Sequence, residues 1–263
     1  MASRPLVALL TDFGSRDHYV GAMKGVLATV CPEATTIDIT HEIPPQDVRT
    51  AAYELAAAWP YFPDRTIFLA VVDPGVGTNR PAIAAQIGSR VYVGPDNGTV
   101  DLVLVDQPAT GAVLLTSPKY TRAVVSATFE GRDRFAPAAA WLARGTPMAE
   151  LGPATTLQTR LSWVEPRTRG DEIVGEILHV DRFGNLVTNI DRRRWALSAG
   201  GAQVSVGDRT GTPLVRTYGE AAEGSLVALF GATDRLEIAV VGGNAATTLG
   251  VGRGATVRVL KGA

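Results

Sequence analysis

The sequence predicts a two-part protein: an α/β domain with a mainly parallel central sheet, then a smaller all-β, barrel-like domain. Three observations carry this. Within about the first 75 residues, apolar strand-like runs alternate with helical patterns, and that order makes βαβ units and a parallel sheet. From Glu172 onward no long helical pattern remains; EIVGEILHVD, LVTNI, AQVSVGD, SLVALFG, LEIAVVGG and ATVRVLKG recur at roughly even spacing with turn residues between them. Residues 152–171 are mixed in character and contain two prolines, which suits a connection. The expected division is an α/β domain over 1–155, a linker over 156–171 and a β-barrel domain over 172–263.

The elements follow in order. Residues 5–10, PLVALL, read as a buried strand that ends at Thr11-Asp12-Phe13-Gly14. Tyr19–Val30 has helical periodicity and is stopped by Pro32. Thr35–Thr40 alternates like a strand and runs into a loop marked by Pro44-Pro45. Asp47 is placed to cap a helix from Val48 to Trp59, with Pro60 and Pro63 beyond its end. The apolar, β-branched run from Thr66 is the third strand. PAIAAQIG, RVYVGPDNG and AVLLTSP are shorter strand-like runs, and TFEGRDR (128–134) leads into an apolar helix that ends at Gly145.

Composition narrows the possible functions. Of 263 residues, 46% are apolar and 19% charged, as in a soluble globular protein. With 25 basic and 26 acidic residues, the net charge of −1 gives no electrostatic case for nucleic acid or an anionic membrane. No apolar run reaches the length of a membrane span, and the five-residue apolar run near the start is too short for a signal peptide. A single cysteine, Cys31, excludes an internal disulfide and fits a reducing cytoplasm; before Pro32 it reads as a buried structural thiol. Three scattered histidines offer no zinc site of the usual spacing.

Thr66–Arg80, TIFLAVVDPGVGTNR, is the stretch with the clearest chemical content. The strand breaks at Asp73-Pro74-Gly75-Val76-Gly77 and delivers Asp73 and Arg80 off its carboxyl end, where open α/β sheets hold their ligands. An aspartate that shapes a turn and an arginine that is only surface charge fit the spacing equally well. Asp12 and Asp38 also follow apolar runs. Asp12, with Asp17 five residues on, sits where a carboxylate commonly accepts the two hydroxyls of a ribose, although turn formation and helix capping fit as well. Gly75-Val76-Gly77 is not a dinucleotide fingerprint, because its glycines lead to another strand and not into a helix. No phosphate loop and no nucleophilic triad accompany the Asp/Arg pair, so the expected nucleophile is water. Asp181-Arg-Phe-Gly-Asn185 reads as a tight turn whose Phe183 and Asn185 can alternatively stack on and hydrogen-bond a purine. GGNAA (242–246) is a Gly-rich turn able to bring backbone close to a flat ligand edge.

In this order, LLTDFG, DHYVGAMKGV, DITHEIPPQDV, VVDPGVGTNR, YVGPDNG, TFEGRDRFAP, DRFGNLVTNI and LEIAVVGGNAA resemble the S-adenosylmethionine hydrolases, or SAM hydroxide adenosyltransferases, relatives of fluorinase and chlorinase. The resemblance covers nearly the whole chain. It implies a homotrimer with sites between neighbouring subunits, S-adenosyl-L-methionine as substrate, and no metal or organic cofactor. It also implies that Asp12 binds the ribose hydroxyls and that Asp17 and Asp181 hold the methionine moiety. Phe129 and Phe183 would line the site, while Asn185 and the backbone near Asn244 and Ala245 would read adenine. Asp73 and Arg80 match two members of the family's water-activating triad. The third is the His of a TFHGRD motif, and this chain has Glu130 there.

The implied chemistry needs little machinery. The leaving methionine departs as a neutral thioether, so no general acid is required, and the protein must align and activate one water behind C5′. Glu130 admits three readings: an acceptor in place of His, a competitor of Asp73 for Arg80, or a change that leaves a nucleoside-binding protein without turnover. The resemblance also implies that halide transfer fits less well, since the halide-using relatives are expected to lack the Asp/Arg pair that this chain has at Asp73 and Arg80.

Overall fold

The computed structural model describes residues 4–195 and 202–260. Two compact units divide it, Met1–Leu161 and Ser162–Ala263. In the first, β1 (Leu6–Thr11), α1 (Tyr19–Val30), β2 (Thr35–Thr40), α2 (Val48–Ala58) and β3 (Ile67–Val71) follow in succession. They lead to β4 (Ala82–Ile87), β5 (Arg90–Pro95), α3 (Asp101–Asp106), β6 (Ala109–Leu114), α4 (Ala136–Ala143) and β7 (Ala154–Thr155). One sheet runs β2-β1-β3-β5-β4-β6-β7. Its pairings from β2 to β5 are parallel, and those from β5 through β4 and β6 to β7 are antiparallel.

The period-two alternation of strands explains the layers. Val7 and Leu9 of β1 and Leu69 and Val71 of β3 face a cluster that includes Met23 and Leu27 of α1 and Ala136, Ala139 and Ala140 of α4. Ala8, Leu10, Phe68 and Ala70 point the other way, against Ala51 and Leu55 of α2 and Val103 of α3. Both faces are covered, so β1 and β3 read as unbroken apolar runs.

The second unit carries β8 (Arg167–Arg169), β9 (Glu172–Val180), β10 (Leu186–Asp191), α5 (Arg192–Trp195), β11 (Gln203–Val206) and β12 (Arg209–Pro213). After these come β13 (Leu226–Phe230), β14 (Arg235–Val240), α6 (Ala245–Leu249) and β15 (Thr256–Leu260). The strands run β12-β11-β15-β9-β10-β14-β13, all antiparallel, with β8 beside β9. A bridge from Leu214 to Ala228 brings the two ends of this sheet together and nearly closes a barrel around Ile173, Ile177, Leu186, Val204, Ile238 and Val257.

The stretch expected as a linker is divided between the units. Gln158 and Thr159 donate backbone N–H groups to Asp96, and Leu161 N donates to Asp101, whereas Arg167–Arg169 form β8. Buried carboxylates that accept backbone donors, not composition, set the boundary here. The end of the run expected over 255–262 lies outside the described residues. Among the described residues, no helix is long and apolar enough to cross a membrane.

Candidate active site

Asp12 and Asp73 leave the same end of two adjacent parallel strands, because Thr11 of β1 is in register with Val71 of β3. Both line a cavity of about 560 Å³, together with Phe13, Tyr19, Gln46, Phe129 and Glu130. That volume is in the range of small-molecule sites.

Several devices hold Asp73 and its turn in place. Asn97 donates from Nδ2 to the Val72 carbonyl at 2.8 Å, fixing the backbone one residue before Asp73. Gly77 has φ +77°, and a Cβ there would lie 2.6 Å from the Ala127 carbonyl oxygen. The turn after β3 therefore packs directly on the loop that delivers Phe129 and Glu130. In that loop, Ser126 N donates to Asp133 Oδ2 at 2.9 Å, and Arg132 Nε donates to its Oδ1 at 2.7 Å. Burial works against the Asp133 charge, but Arg132, the Ser126 N–H and the charge of Arg122 together outweigh it and hold the carboxyl below its usual value. We predict that Gly77→Ala destabilises the protein by about 0.5–3 kcal/mol and lowers activity, measured by urea unfolding and initial rates.

Arg80 binds both remaining carboxylates. Its Nε donates to Asp73 Oδ1 at 2.8 Å, and its Nη2 donates to Asp73 Oδ2 and to Glu130 Oε2. The side chains of Asp73, Arg80 and Glu130 are 5%, 11% and 14% exposed, so water screens this network little. Burial opposes the Arg80 charge, yet the bonds and charges of Asp73 and Glu130 prevail and raise its pKa above the usual value. Arg134 Nε donates to Glu130 Oε1 at 3.1 Å, and Arg134 Nη1 donates to the Leu115 carbonyl at 2.7 Å. Carboxylate and guanidinium alternate along Asp73, Arg80, Glu130 and Arg134.

Asp12 is held differently. Its Oδ2 accepts the Gln46 backbone N–H at 2.7 Å, and Gln46 adopts the left-handed φ of +66° after the proline pair. Burial raises the Asp12 carboxyl above its usual value, the Gln46 bond opposes this, and the charge of Asp73 adds to the rise. Thr11 Oγ1 bonds His41 Nδ1 at 2.8 Å, and Gly14 N donates to the His41 carbonyl, which ties down the turn on either side of Asp12. Phe13, Tyr19 and Phe129 pack against one another with centroids 5.1–5.8 Å apart and give the cavity an aromatic wall.

Not every expected residue joins this group. Asp17 is exposed ahead of α1 and does not line the cavity. Asp38 lies inside β2, paired with Lys24 at 2.6 Å and His41 at 3.1 Å. Cys31 is buried, as expected of a structural thiol. Among the described residues, no group of three or more His, Cys, Asp or Glu is arranged to hold a metal ion.

Within the second unit, the two turns singled out from sequence meet. Asp181 Oδ1 accepts Phe183 N at 2.9 Å and Asn185 N at 2.8 Å, and Oδ2 accepts Asn185 Nδ2 at 2.9 Å. Gly184 at φ +83° lies so close to Asn244 that a Cβ would fall 2.1 Å from its side chain. Gly184 O accepts Ala246 N, while Asn244 caps α6 through Thr247 N at 2.8 Å. Ala245 and Asn185 are buried and Phe183 is 74% exposed, leaving one aromatic face beside a fixed amide. Glu237 of β14 is buried near this turn. Burial pushes its carboxyl up to about 6, the charge of Asp181 adds to the rise, and a bond from Tyr218 opposes it.

Gln46, Arg134, Asn97 and Glu237 did not emerge from the sequence pattern. Arg134 alone left a signal, its four-residue spacing from Glu130.

Known proteins resemble this chain over most of its length. Residues 7–152 match the SAM hydroxide adenosyltransferase N-terminal domain, and residues 175–258 match the C-terminal domain of the same family. The chain is 45% identical to the (R)-S-adenosyl-L-methionine hydrolase of Thermus thermophilus, over 97% of this chain and 99% of that one. A fluorinase from an Actinoplanes species is 28% identical over 72% of each chain. The crystal structure of an uncharacterised conserved protein from Thermotoga maritima superposes with a TM-score of 0.92 at 34% identity, over 97% of this chain and 100% of that one.

Proposed function

Because the chain belongs to the SAM hydroxide adenosyltransferase family, we propose that it hydrolyses S-adenosyl-L-methionine to adenosine and L-methionine. The observation that carries the reading is Asp73 on the wall of the cavity that also holds Asp12, with Arg80 bonded to its carboxylate. Water oxygen attacks C5′ as the C5′–S bond breaks. The bonding electrons stay on sulfur, which becomes a neutral thioether, and the water proton passes to Asp73 and then to solvent. Arg80 fixes the carboxylate in a two-pronged, charge-assisted pair. Holding water and C5′ in line contributes on the order of 7–11 kcal/mol in well-oriented reactions.

Asp12 accepts the ribose hydroxyls in this reading. Asn185 and the Asn244-Ala245 backbone read adenine, and Phe129 and Phe183 line the site. Asp181 and Asp17 hold methionine. Asp181 does so with the acceptor capacity its own turn leaves over. Glu130 takes the place of the family's His as an acceptor beside the water. A homotrimer with sites between neighbouring subunits, no cofactor beyond the substrate, and a cytoplasmic setting complete the proposal.

Incubation with each sulfonium epimer of S-adenosyl-L-methionine in oxygen-18 water tests it, with adenosine followed by mass spectrometry. We expect adenosine labelled at the 5′ oxygen. Tight binding without turnover would replace the hydrolase with a nucleoside-binding protein.

A further inference from the structure

The proposed reaction leaves Arg134 without a role, although it completes the charge network. Asp73 and Glu130 both accept from the same nitrogen of Arg80, so two poorly screened carboxylates compete for one positive charge. Arg134 relieves that competition from the far side. It donates to Glu130 Oε1 at 3.1 Å while Arg80 donates to Oε2, so each oxygen of Glu130 has its own guanidinium. The bond to the Leu115 carbonyl anchors Arg134 to the chain just beyond β6. Its side chain is 24% exposed, and it does not line the cavity.

We infer that Arg134 is a positioning residue: by holding Glu130 Oε1, it keeps Glu130 on Arg80 and leaves Asp73 available for the water proton. The inference rests on the hydrolase reading. Glu130 and Arg134 then act as one unit, in which the arginine supplies the positive charge that a second carboxylate beside Asp73 requires. The change at position 130 is an adapted acceptor and not a damaged site.

Arg134→Met and Arg134→Lys, each in the native and in the Glu130→His background, test this by steady-state kinetics and thermal unfolding. In the native background, Arg134→Met is expected to lower kcat about tenfold with KM within about twofold, a size typical of coupled neighbours. Arg134→Lys is expected to recover part of the loss, because a cation remains but the planar fork does not. In the Glu130→His background, Arg134→Met is expected to change kcat less than about twofold. Equal losses in both backgrounds, matched by equal falls in unfolding temperature, would reduce Arg134 to a peg for the Leu115 carbonyl. If Glu130→His has no measurable turnover, the lysine rescue decides. A native enzyme that makes no adenosine would remove the hydrolase reading and this role with it; native turnover unaffected by Arg134→Met would remove only this role.

Discussion

Asp73→Asn is expected to lower kcat by about 10²–10⁴-fold while substrate affinity stays within a few-fold, the range for loss of a positioned base. The amide accepts no proton, and its NH₂ group opposes the Arg80 donors it replaces an acceptor for. The fold survives because Arg80 keeps Glu130 as a partner and Asn97 still holds the Val72 carbonyl. A second effect follows at Asp12, whose carboxyl is raised partly by the charge of Asp73. Removing that charge favours ionised Asp12, so any acid limb that Asp12 sets moves to lower pH. Initial rates across pH, with substrate binding followed calorimetrically in the variant, check both effects. Unchanged turnover would take Asp73 out of the reaction.

Arg80→Met is expected to cost more in stability than any other single change in the site. It leaves Asp73 and Glu130, at 5% and 14% exposure, as neighbouring acceptors that have lost the guanidinium they share. Breaking one partner out of a buried pair costs about 3–5 kcal/mol. Glu130 retains Arg134, so Asp73 is the group left exposed to the penalty. Activity is lost as well, because nothing fixes the Asp73 carboxylate. Urea unfolding followed by circular dichroism checks the first effect. Arg80→Lys gives an intermediate result, since a lysine replaces the charge but not the two-pronged contact.

Local features of the fold were legible where the chain carried its own punctuation. Tyr19–Val30 and Thr35–Thr40 match their expected spans because Pro32 ends one and alternation marks the other. Asp47 caps α2 through Thr50 N as its position implied. Asp101–Asp106 was missed, since a six-residue helix shows too little periodicity to separate from a loop. The placement of β5 between β3 and β4 is a tertiary choice between strands that look alike in sequence. For the site, Asp73 and Arg80 were visible because one turn delivers both. Their meeting with Glu130, fifty residues away, required the packing of Gly77 on Ala127. Gln46 was invisible for a simpler reason: it acts through its backbone N–H, which every residue but proline carries.

The wide π turn of Gly131–Phe135 lies between Glu130 and α4. Such a turn holds one more residue than an α-helical turn, and one residue of an α-helix is about 100° of rotation. The buried alanine face of α4 and the charged side chains of Glu130 and Arg134 therefore point in directions that an uninterrupted α-helix would not combine. The extra residue lets the helix keep one angular phase for packing and another for chemistry. Its deletion would force a choice between them, making turn length the simplest way to separate this fold from its reaction.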